Sequence, residues 1–459
     1  MGSSRDYWAT PSALAAGPLA LAALATSLLA LLLLLVLTPL ASARSGDLAW
    51  QRVYDGAGNG DDAYFAASAA PNGGVYIAGA TVATTEDFLI ARYGANGQLV
   101  WRRTWDDVQA GNDAIAATAT APGGGLVVTG FAAPFTQVIA VARYSAAGKR
   151  LWVRLYNDAG ADQQSGQRVA VDATGNVYVL AVRLTSATGY DIAVLKYSPA
   201  GKRLWVRHYA SPGDDFPADL ALDAHGDAYV TGYTAGTNGS DVLTIKYSPA
   251  GKRLWARIYD GPGGGDDAGM AIAVTHGGTA YVAGFATGTS TGADAVVLKY
   301  TSAGKLGWSR FRSSAGVQDD VYRSVALAAN GDVVATGSEF TPTAANDVLT
   351  ARLSPSGHTR WARLYNGPDG LADDGNIVGV APTGAIFVEG SSAGATTDQD
   401  WLTLKYSAAG KRAWARRYTS AGSAPDFSQA LLARTGSVFV AGLEVDAGNQ
   451  NAAVLRYKP

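Results

Sequence analysis

The sequence predicts an all-β fold, an eight-bladed β-propeller built from four-stranded antiparallel blades. One phrase, clearest as Tyr247–Tyr259 (YSPAGKRLWARIY), recurs eight times along the 459 residues. The tryptophans that anchor it follow one another at intervals of 50 to 53 residues, which is typical of one supersecondary unit repeated in space. No stretch of the repeats has the 3.6-residue period of a helix. The anchoring residues are Trp50, Trp101, Trp152, Trp205, Trp255, Trp308, Trp361 and Trp414.

Each repeat contains four short strands that are joined by turn residues. In most repeats the first alternates small and apolar residues, the second ends at a glycine, the third ends in Lys-Tyr or Arg-Tyr, and the fourth carries the tryptophan. Pro and Gly in the turn before the fourth strand suit a tight hairpin, so we expect an antiparallel meander. In one repeat these strands are Asp219–Asp223, Ala228–Gly232, Asp241–Tyr247 and Arg253–Tyr259.

The two ends of the array predict how the ring closes. The array begins with an isolated tryptophan strand, Leu48–Tyr54, and ends with a third strand, Asn451–Tyr457, that no tryptophan strand follows. We therefore predict that Leu48–Tyr54 pairs with Ala452–Tyr457 and completes the last blade. Closure removes exposed edges, whereas the alternative, an open solenoid, would need polar capping repeats at its ends.

Residues 1–43 differ from the rest of the chain. Leu19–Leu37 carries no charge, and Ala41-Ser42-Ala43 matches the small-x-small pattern of a signal-peptidase site. The apolar run is also long enough, at about 28 Å as a helix, to cross a bilayer. Two interpretations stay open, a cleaved signal peptide and an N-terminal membrane anchor. Both export residues 44–459, which we assign to the propeller.

The composition excludes several classes of function. The net charge is -2, so there is no basic field for nucleic acid. Cysteine is absent, which excludes disulfides and thiolate metal sites. No GxSxG, HExxH or P-loop pattern occurs, so no catalytic residue is assigned. We expect a monomer without a cofactor, and membrane contact only through residues 19–37 if they are retained.

The repeats resemble the bacterial exported β-propeller repeat family, the SBBP-like repeats. Asp172–Val179 (DATGNVYV) and Asp191–Tyr197 (DIAVLKY) match its pattern closely, and the resemblance covers about residues 47–459. The Ala-Gly-Lys-Arg-Leu-Trp hairpin is also similar to the tryptophan-docking motif of quinoprotein-type eight-bladed propellers. That resemblance implies an outermost tryptophan strand that docks on the next blade and an alanine-rich strand along the channel.

Acidic loops recur just before the first strand of most repeats and form a candidate binding face. Carboxylates near glycine-rich backbone leave Ca²⁺ as an alternative ligand, but no metal residue is assigned because no DxDxDG ladder occurs. The competing interpretation is that these aspartates cap their own loops. The candidate residues are Asp61, Asp62, Asp113, Asp214, Asp215, Asp266, Asp267, Asp319, Asp320, Asp373 and Asp374.

The loops after the second strands repeat less faithfully and are candidates for specificity. Aromatic residues there, Tyr190, Tyr233, Phe285 and Phe340, could stack on sugars or peptides or pack over the blade ends. We expect an exported, non-catalytic binding or scaffold propeller of the bacterial cell envelope, secreted, periplasmic or at the cell surface, whose ligand is a protein or a polysaccharide. The alternatives are a secreted carbohydrate-active enzyme that uses channel-mouth aspartates and a purely structural surface spacer.

Overall fold

The computed structural model describes residues 44–56, 60–83, 85–105, 111–133, 137–314, 318–342, 345–420, 424–446 and 448–458. The predicted signal or anchor segment lies outside these residues. Within them, no helix is long and apolar enough to cross a membrane. A single 3₁₀ turn, Pro71–Gly73, interrupts the strands of this part of the chain.

Eight separate sheets, each of four antiparallel strands, confirm the predicted blades. The strand β1 (Leu48–Tyr54) precedes them. Blade 1 contains β2 (Asp62–Ala69), β3 (Val75–Val82), β4 (Glu86–Tyr93) and β5 (Leu99–Trp105). Blade 2 contains β6 (Ala114–Thr120), β7 (Leu126–Ala132), β8 (Val138–Tyr144) and β9 (Arg150–Tyr156). Blade 3 contains β10 (Gln163–Val171), β11 (Val177–Thr185), β12 (Gly189–Tyr197) and β13 (Arg203–Tyr209).

The same order continues through the remaining blades. Blade 4 contains β14 (Asp215–Leu222), β15 (Ala228–Ala235), β16 (Ser240–Tyr247) and β17 (Arg253–Tyr259). Blade 5 contains β18 (Ala268–Val274), β19 (Ala280–Thr287), β20 (Ala293–Tyr300) and β21 (Leu306–Arg312). Blade 6 contains β22 (Val321–Leu327), β23 (Val333–Thr341), β24 (Ala345–Leu353) and β25 (Thr359–Tyr365). Blade 7 contains β26 (Asp373–Val380), β27 (Ile386–Ala393), β28 (Gln399–Tyr406) and β29 (Arg412–Tyr418). Blade 8 contains β30 (Phe427–Arg434), β31 (Ser437–Asp446), β32 (Asn449–Tyr457) and β1.

The blades form a closed ring, as the sequence predicts. The first strand of every blade contacts the first strands of both neighbouring blades, and β30 contacts β2 to complete the circle. Strand β1 pairs antiparallel with β32, with Leu48 opposite Tyr457 and Tyr54 opposite Ala452. The predicted pairing of Leu48–Tyr54 with Ala452–Tyr457 is therefore confirmed.

The hydrophobic core lies between blades, because the second and third strands of each blade are buried on both faces. One cluster joins Tyr178 and Leu180 of blade 3 to Leu243 and Tyr247 of blade 4, with Trp205 between them. The other interfaces repeat this arrangement. A blade therefore has little core of its own, so the ring must form as a whole.

The hairpin before each fourth strand receives the tryptophan of the preceding blade. The indole Nε1 of Trp205 and the Nζ of Lys196 both donate to the carbonyl of Pro249, at 3.0 Å and 2.9 Å. Arg207 Nε donates to the carbonyl of Gly251 at 2.6 Å. Gly251 has φ +79° and lies so close that a Cβ there would be 2.8 Å from Trp205. The glycine of this recurring turn is therefore required for two reasons, its positive φ and its close contact with the tryptophan ring.

At the closing interface a short N-terminal segment replaces the hairpin. Trp414 Nε1 donates to Ser45 Oγ at 3.0 Å, and Arg416 Nε donates to the carbonyl of Gly46 at 2.8 Å. Gly46 has φ +87°, like the hairpin glycines, and its N–H donates to the carbonyl of Lys458 at 2.8 Å. Ser45–Gly46 thus acts as the missing turn of the last blade.

Candidate functional site

One face of the ring carries the loops that join each second strand to the third and each fourth strand to the next blade. We call it the loop face. The acidic candidates and the four aromatic candidates belong to these loops or to the strand ends beside them. The structure divides the acidic candidates into two groups, because in a typical pair the first carboxylate is exposed and the second is fully buried.

The buried residues hold the loop backbone. Asp267 accepts the N–H of Thr287 at 2.7 Å and, through its other oxygen, the N–H of Gly261. Asp320 accepts Phe340 N–H in the same way, at 2.9 Å. These contacts join the loop after one blade to the second strand of the next, as in the loop-cap interpretation. The fully buried members of this set are Asp62, Asp113, Asp215, Asp267, Asp320, Asp373 and Asp426.

Four blades depart from the paired pattern, and in blades 2 and 8 the residue before the buried aspartate is Asn112 or Pro425. In blade 7 the buried position is Asp373, whose carboxylate accepts Gly367 N–H at 2.5 Å, so Asp374 lies one residue past the pair and instead contacts Arg323 at 3.0 Å. Grouping Asp373 and Asp374 with the other pairs was therefore wrong by one position. In blade 3 the buried residue is Gln164, whose Oε1 accepts Asp158 N–H at 3.1 Å, so an amide replaces the carboxylate.

The exposed residues clamp the preceding blade. Asp266 Oδ1 accepts the N–H of Ser240, the first residue of β16, at 2.9 Å. The N–H of Asp267 donates to the carbonyl of the same Ser240 at 2.7 Å. Asp319 with Ala293 and Asp214 with Tyr190 repeat the carboxylate half of this clamp, at 2.8 Å and 2.9 Å. The acidic pair therefore has a structural role in blades 4, 5 and 6, where both of its carboxylates hold backbone N–H groups.

Burial raises the pKa of the buried carboxyls of Asp62, Asp267, Asp320 and Asp373, against the lowering effect of their hydrogen bonds. Four residues share this shift, so it does not single out one catalytic acid.

One group of carboxylates converges on the loop face. Asp241, Asp260 and Asp267 each place a carboxylate oxygen within 4.8 Å of the others. Ca²⁺ takes six to eight oxygen ligands, whereas each of these residues brings one carboxylate oxygen to the group, and both oxygens of Asp267 already accept N–H groups. The donor set does not fit the ion well, so we derive nothing from calcium.

An aromatic row crosses from blade 3 to blade 4 on the loop face. Tyr190 contacts Phe216 edge to face, with ring centroids 5.6 Å apart. Phe216 stacks on Tyr233 at 5.8 Å with an interplanar angle of 11°, because the two residues are opposite each other on β14 and β15. Tyr190 is 39% exposed, and the other two rings are half-buried. The structure thus brings two of the four aromatic candidates together.

Phe216 was missed by the sequence reasoning. By strand register, its position holds Ala63, Ala114 and Ala268 in three other blades, but Phe427 in blade 8. A large ring at this position is therefore not by itself a departure from the repeat, and only the contacts of Phe216 with the two tyrosines distinguish it. The remaining candidates, Phe285 and Phe340, lie half-buried on β19 and β23, outside the row.

Blade 3 places a polar cluster beside Tyr190. Arg183 Nε lies 3.4 Å from Asp158, and its Nη1 lies 3.4 Å from Asp191. His208 Nε2 is 3.0 Å from the same Asp158. Burial, and then the Arg183 charge, lower the pKa of His208 against the effect of Asp158, which favours a neutral imidazole. The row therefore has cationic and carboxylate groups at one end.

The centre of the ring contains a cavity of about 600 Å³ that is lined by the first strands of all eight blades. Every first strand has a β-bulge at the same place, where one residue has no partner on the second strand. Bulges re-aim side chains, and seven of these eight residues line the cavity. The bulged residues are Phe65, Ala116, Gln167, Ala218, Met270, Arg323, Asn376 and Gln429.

The bulged residues differ in nearly every blade, while the residues around them recur. The expected alanine-rich lining holds for part of the wall, where Ala66, Ala117 and Ala271 reach the cavity. Asp219 is the one carboxylate among the described lining residues. It accepts the N–H groups of Leu220 and Ile272 at 2.8 Å and 2.9 Å, and burial raises its pKa while Arg168 lowers it.

Comparisons with solved structures found several distant matches. The chain is similar to a puromycin hydrolase mutant, at 13% identity and a TM-score of 0.47, over 83% of this chain and 58% of that one. It is similar to polysaccharide lyase Uly1, at 10% identity and a TM-score of 0.45, over 92% of this chain and 94% of that one. It is also similar to the WD40 domain of SCAP from fission yeast, at 10% identity and a TM-score of 0.46, over 89% of this chain and 94% of that one. No curated protein matches. At such identities the neighbours carry no functional argument.

The family comparison identifies the repeat. The SBBP family, described as a beta-propeller repeat, matches residues 204–240, which run from the fourth strand of blade 3 to the start of β16. These residues include the first and second strands of blade 4, whereas the segments that suggested the resemblance, Asp172–Val179 and Asp191–Tyr197, lie in blade 3. The chain is therefore an eight-bladed β-propeller that carries a beta-propeller repeat of the SBBP family.

Proposed function

We propose that this protein is an exported, non-catalytic binding propeller of a bacterial cell envelope that recognises a polysaccharide through its loop face. The observation that carries the proposal is the row of Tyr190, Phe216 and Tyr233. Contiguous apolar surface on the outside of a protein often marks an interaction site, and here Tyr190 is exposed while Phe216 and Tyr233 are half-buried beside it. The recurring aspartates support the loops rather than the ligand.

The chemistry of the row suits a sugar. Aromatic faces pack against the C–H faces of pyranose rings, and polar groups at the edge hydrogen-bond the hydroxyls. Arg183 and the exposed Asp214 lie at the blade 3 end of the row and offer a donor and an acceptor. A protein ligand is the second candidate, because tyrosine and arginine are also common in protein interfaces.

The enzyme alternative receives weaker support. Asp219 has a raised pKa and lies at the cavity, as a general acid would. Glycoside hydrolysis ordinarily uses two carboxyl groups that flank the bond, however, and Asp219 has no second carboxylate among the described residues that line the cavity. Its two backbone hydrogen bonds also give it a structural role.

The proposal is tested with protein produced from the full-length chain and an array of envelope polysaccharides. The double variant Y190A/Y233A removes both ends of the row, and we expect at least about tenfold weaker binding, a loss of about 1.4 kcal/mol. The matched control is F311A, because Phe311 is also 39% exposed but lies on the outer strand of blade 5.

Retention by wild type and F311A with loss in the folded double variant supports the proposal. Equal binding by all three proteins contradicts the role of the row, and no binding by wild type contradicts the proposal and favours the spacer alternative. If an envelope protein, rather than a polysaccharide, is retained by wild type and lost in Y190A/Y233A, the loop face is right and the ligand class is wrong.

A further inference from the structure

The central cavity has polar side chains that the fold leaves without partners. Gln167, Asn376 and Gln429 are bulged residues of blades 3, 7 and 8, and all three line the cavity. Among the described residues, no hydrogen bond to their side-chain amides is found. An amide offers two donors and one acceptor, so together they can satisfy several hydroxyl groups.

A guanidinium follows the first of these amides. Arg168 is 47% exposed, and its Nε lies 3.6 Å from Asp219, which is longer than a hydrogen bond. Its Nη1 donates to the carbonyl of Gln167 at 2.9 Å. The orientation of Asp219 does not depend on this contact, because two backbone N–H groups already hold its carboxylate. Arg168 therefore has N–H donors free for an anion.

Two further bulged residues of the cavity are apolar. Blade 1 faces blade 5 across the ring, and their bulged residues are Phe65 and Met270. A ligand for this cavity needs hydroxyl groups, one anionic group and an apolar face. The volume of about 600 Å³ lies within the usual range for small-molecule sites.

We propose that the central cavity binds a sugar acid, a molecule of hexuronate size with one carboxylate and several hydroxyls. Arg168 holds the carboxylate, the amides of Gln167, Asn376 and Gln429 hold the hydroxyls, and Phe65 packs against the sugar ring. This site is independent of the aromatic row, because different residues form it. The free sugar acid and the acidic end of a polymer share this chemistry.

The test is calorimetric titration of the full-length protein with sodium glucuronate and galacturonate, with glucose and galactose as neutral counterparts and trigalacturonate as a polymer end. Wild type should bind the acids and bind the neutral sugars at least about tenfold more weakly, the usual value of one charge-assisted hydrogen bond. R168Q should lose that preference. The charge-matched control K252Q, on an exposed hairpin of the other face, should bind as wild type does.

A second variant keeps the test valid if R168Q does not fold. N376A removes a side chain that has no described hydrogen bond, and should weaken binding of both acids severalfold. Tighter binding of trigalacturonate than of the monomer assigns the site to a polymer end, and the reverse order assigns it to the free sugar. The proposal is overturned if wild type binds no sugar acid at millimolar concentration or binds glucose equally well. It is also overturned if R168Q and N376A both bind the acids as tightly as wild type does.

Discussion

At the scale of single residues, the structure separates recurring residues that stabilise each blade from residues that occur in one blade only. The recurrence of acidic pairs could be read from the sequence, but not that Asp267 is buried and Asp266 exposed. Which of the two aspartates is buried depends on which side of their loop packs against the second strand of the blade. Changing Asp62, Asp267 and Asp320 together would therefore disturb the fold before it tested any surface.

Glu389 differs from the residue found at its position in blade 4, and a second difference in the next blade accommodates it. The equivalent residue in blade 4 is Thr231, whose Oγ1 donates to the carbonyl of Leu243 at 3.0 Å. The residue of blade 5 that faces this hydroxyl is Gly269, because a Cβ there would be 2.3 Å from Oγ1. Glu389 is fully buried and contacts Ser428, which replaces the glycine. Ser428 Oγ also lies 3.0 Å from the carbonyl of Gly390, so a protonated Glu389 can donate to Ser428 while Ser428 donates onward.

The first prediction concerns the pH dependence of this contact. Burial raises the pKa of Glu389 to about 8 from an ordinary value of 4.5, so the folded protein keeps a proton that the unfolded chain releases. The free energy of unfolding should therefore fall between roughly pH 4.5 and 8, by about 1.4 kcal/mol for each pKa unit at most. E389Q keeps the shape and a donor but cannot ionise.

Urea denaturation at pH 5 and pH 9 checks it. E389Q should be more stable than wild type at pH 9 and near wild type at pH 5, while the exposed control D398N should follow wild type at both. An equal effect of E389Q at the two pH values would show that the buried carboxyl does not titrate in this range.

At the scale of elements, the unit of stability is the contact between a tryptophan strand and the next hairpin. The strands and turns of the repeat could be predicted because their patterns recur eight times. The closing turn could not, because Ser45–Gly46 lies outside the phrase and shares only the spacing of its glycine from the tryptophan. Gly46 precedes Trp50 by four residues, as Gly251 precedes Trp255.

The second prediction follows from this segment. A chain that starts at Asp47 lacks the acceptors of Trp414 and Arg416 and the hydrogen bond from Gly46 to Lys458. At about 1 kcal/mol for each hydrogen bond, it should be roughly 3 kcal/mol less stable than a chain that starts at Arg44. Thermal unfolding of the two proteins measures the difference, and equal melting temperatures would mean that the segment does not close the ring.

At the scale of the whole molecule, the scaffold follows from what the eight repeats share, and the candidate sites follow from where they differ. Ring closure could be predicted because a first fragment and a last fragment complete one blade. The cavity could not, because the eight bulges are visible only in strand register. The aromatic row could not either, because its contacts join residues of three different strands in two blades. Both proposed sites combine residues of several blades, so both require a closed ring.

Closure is therefore the claim on which the rest depends, and a cross-link between β1 and β32 tests it most directly. Val53 lies opposite Ala453, and the chain has no cysteine, so V53C/A453C has one possible intramolecular disulfide. The control V53C/I258C pairs Val53 with an exposed residue of blade 4, on the opposite side of the ring. The readout is non-reducing electrophoresis with peptide mass mapping after mild oxidation.

We predict that V53C/A453C forms a monomeric disulfide that raises the melting temperature, as cross-links that close long loops do, and that V53C/I258C forms none within one chain. Absence of the first disulfide in folded protein, or its formation only between two chains, would contradict the closed ring.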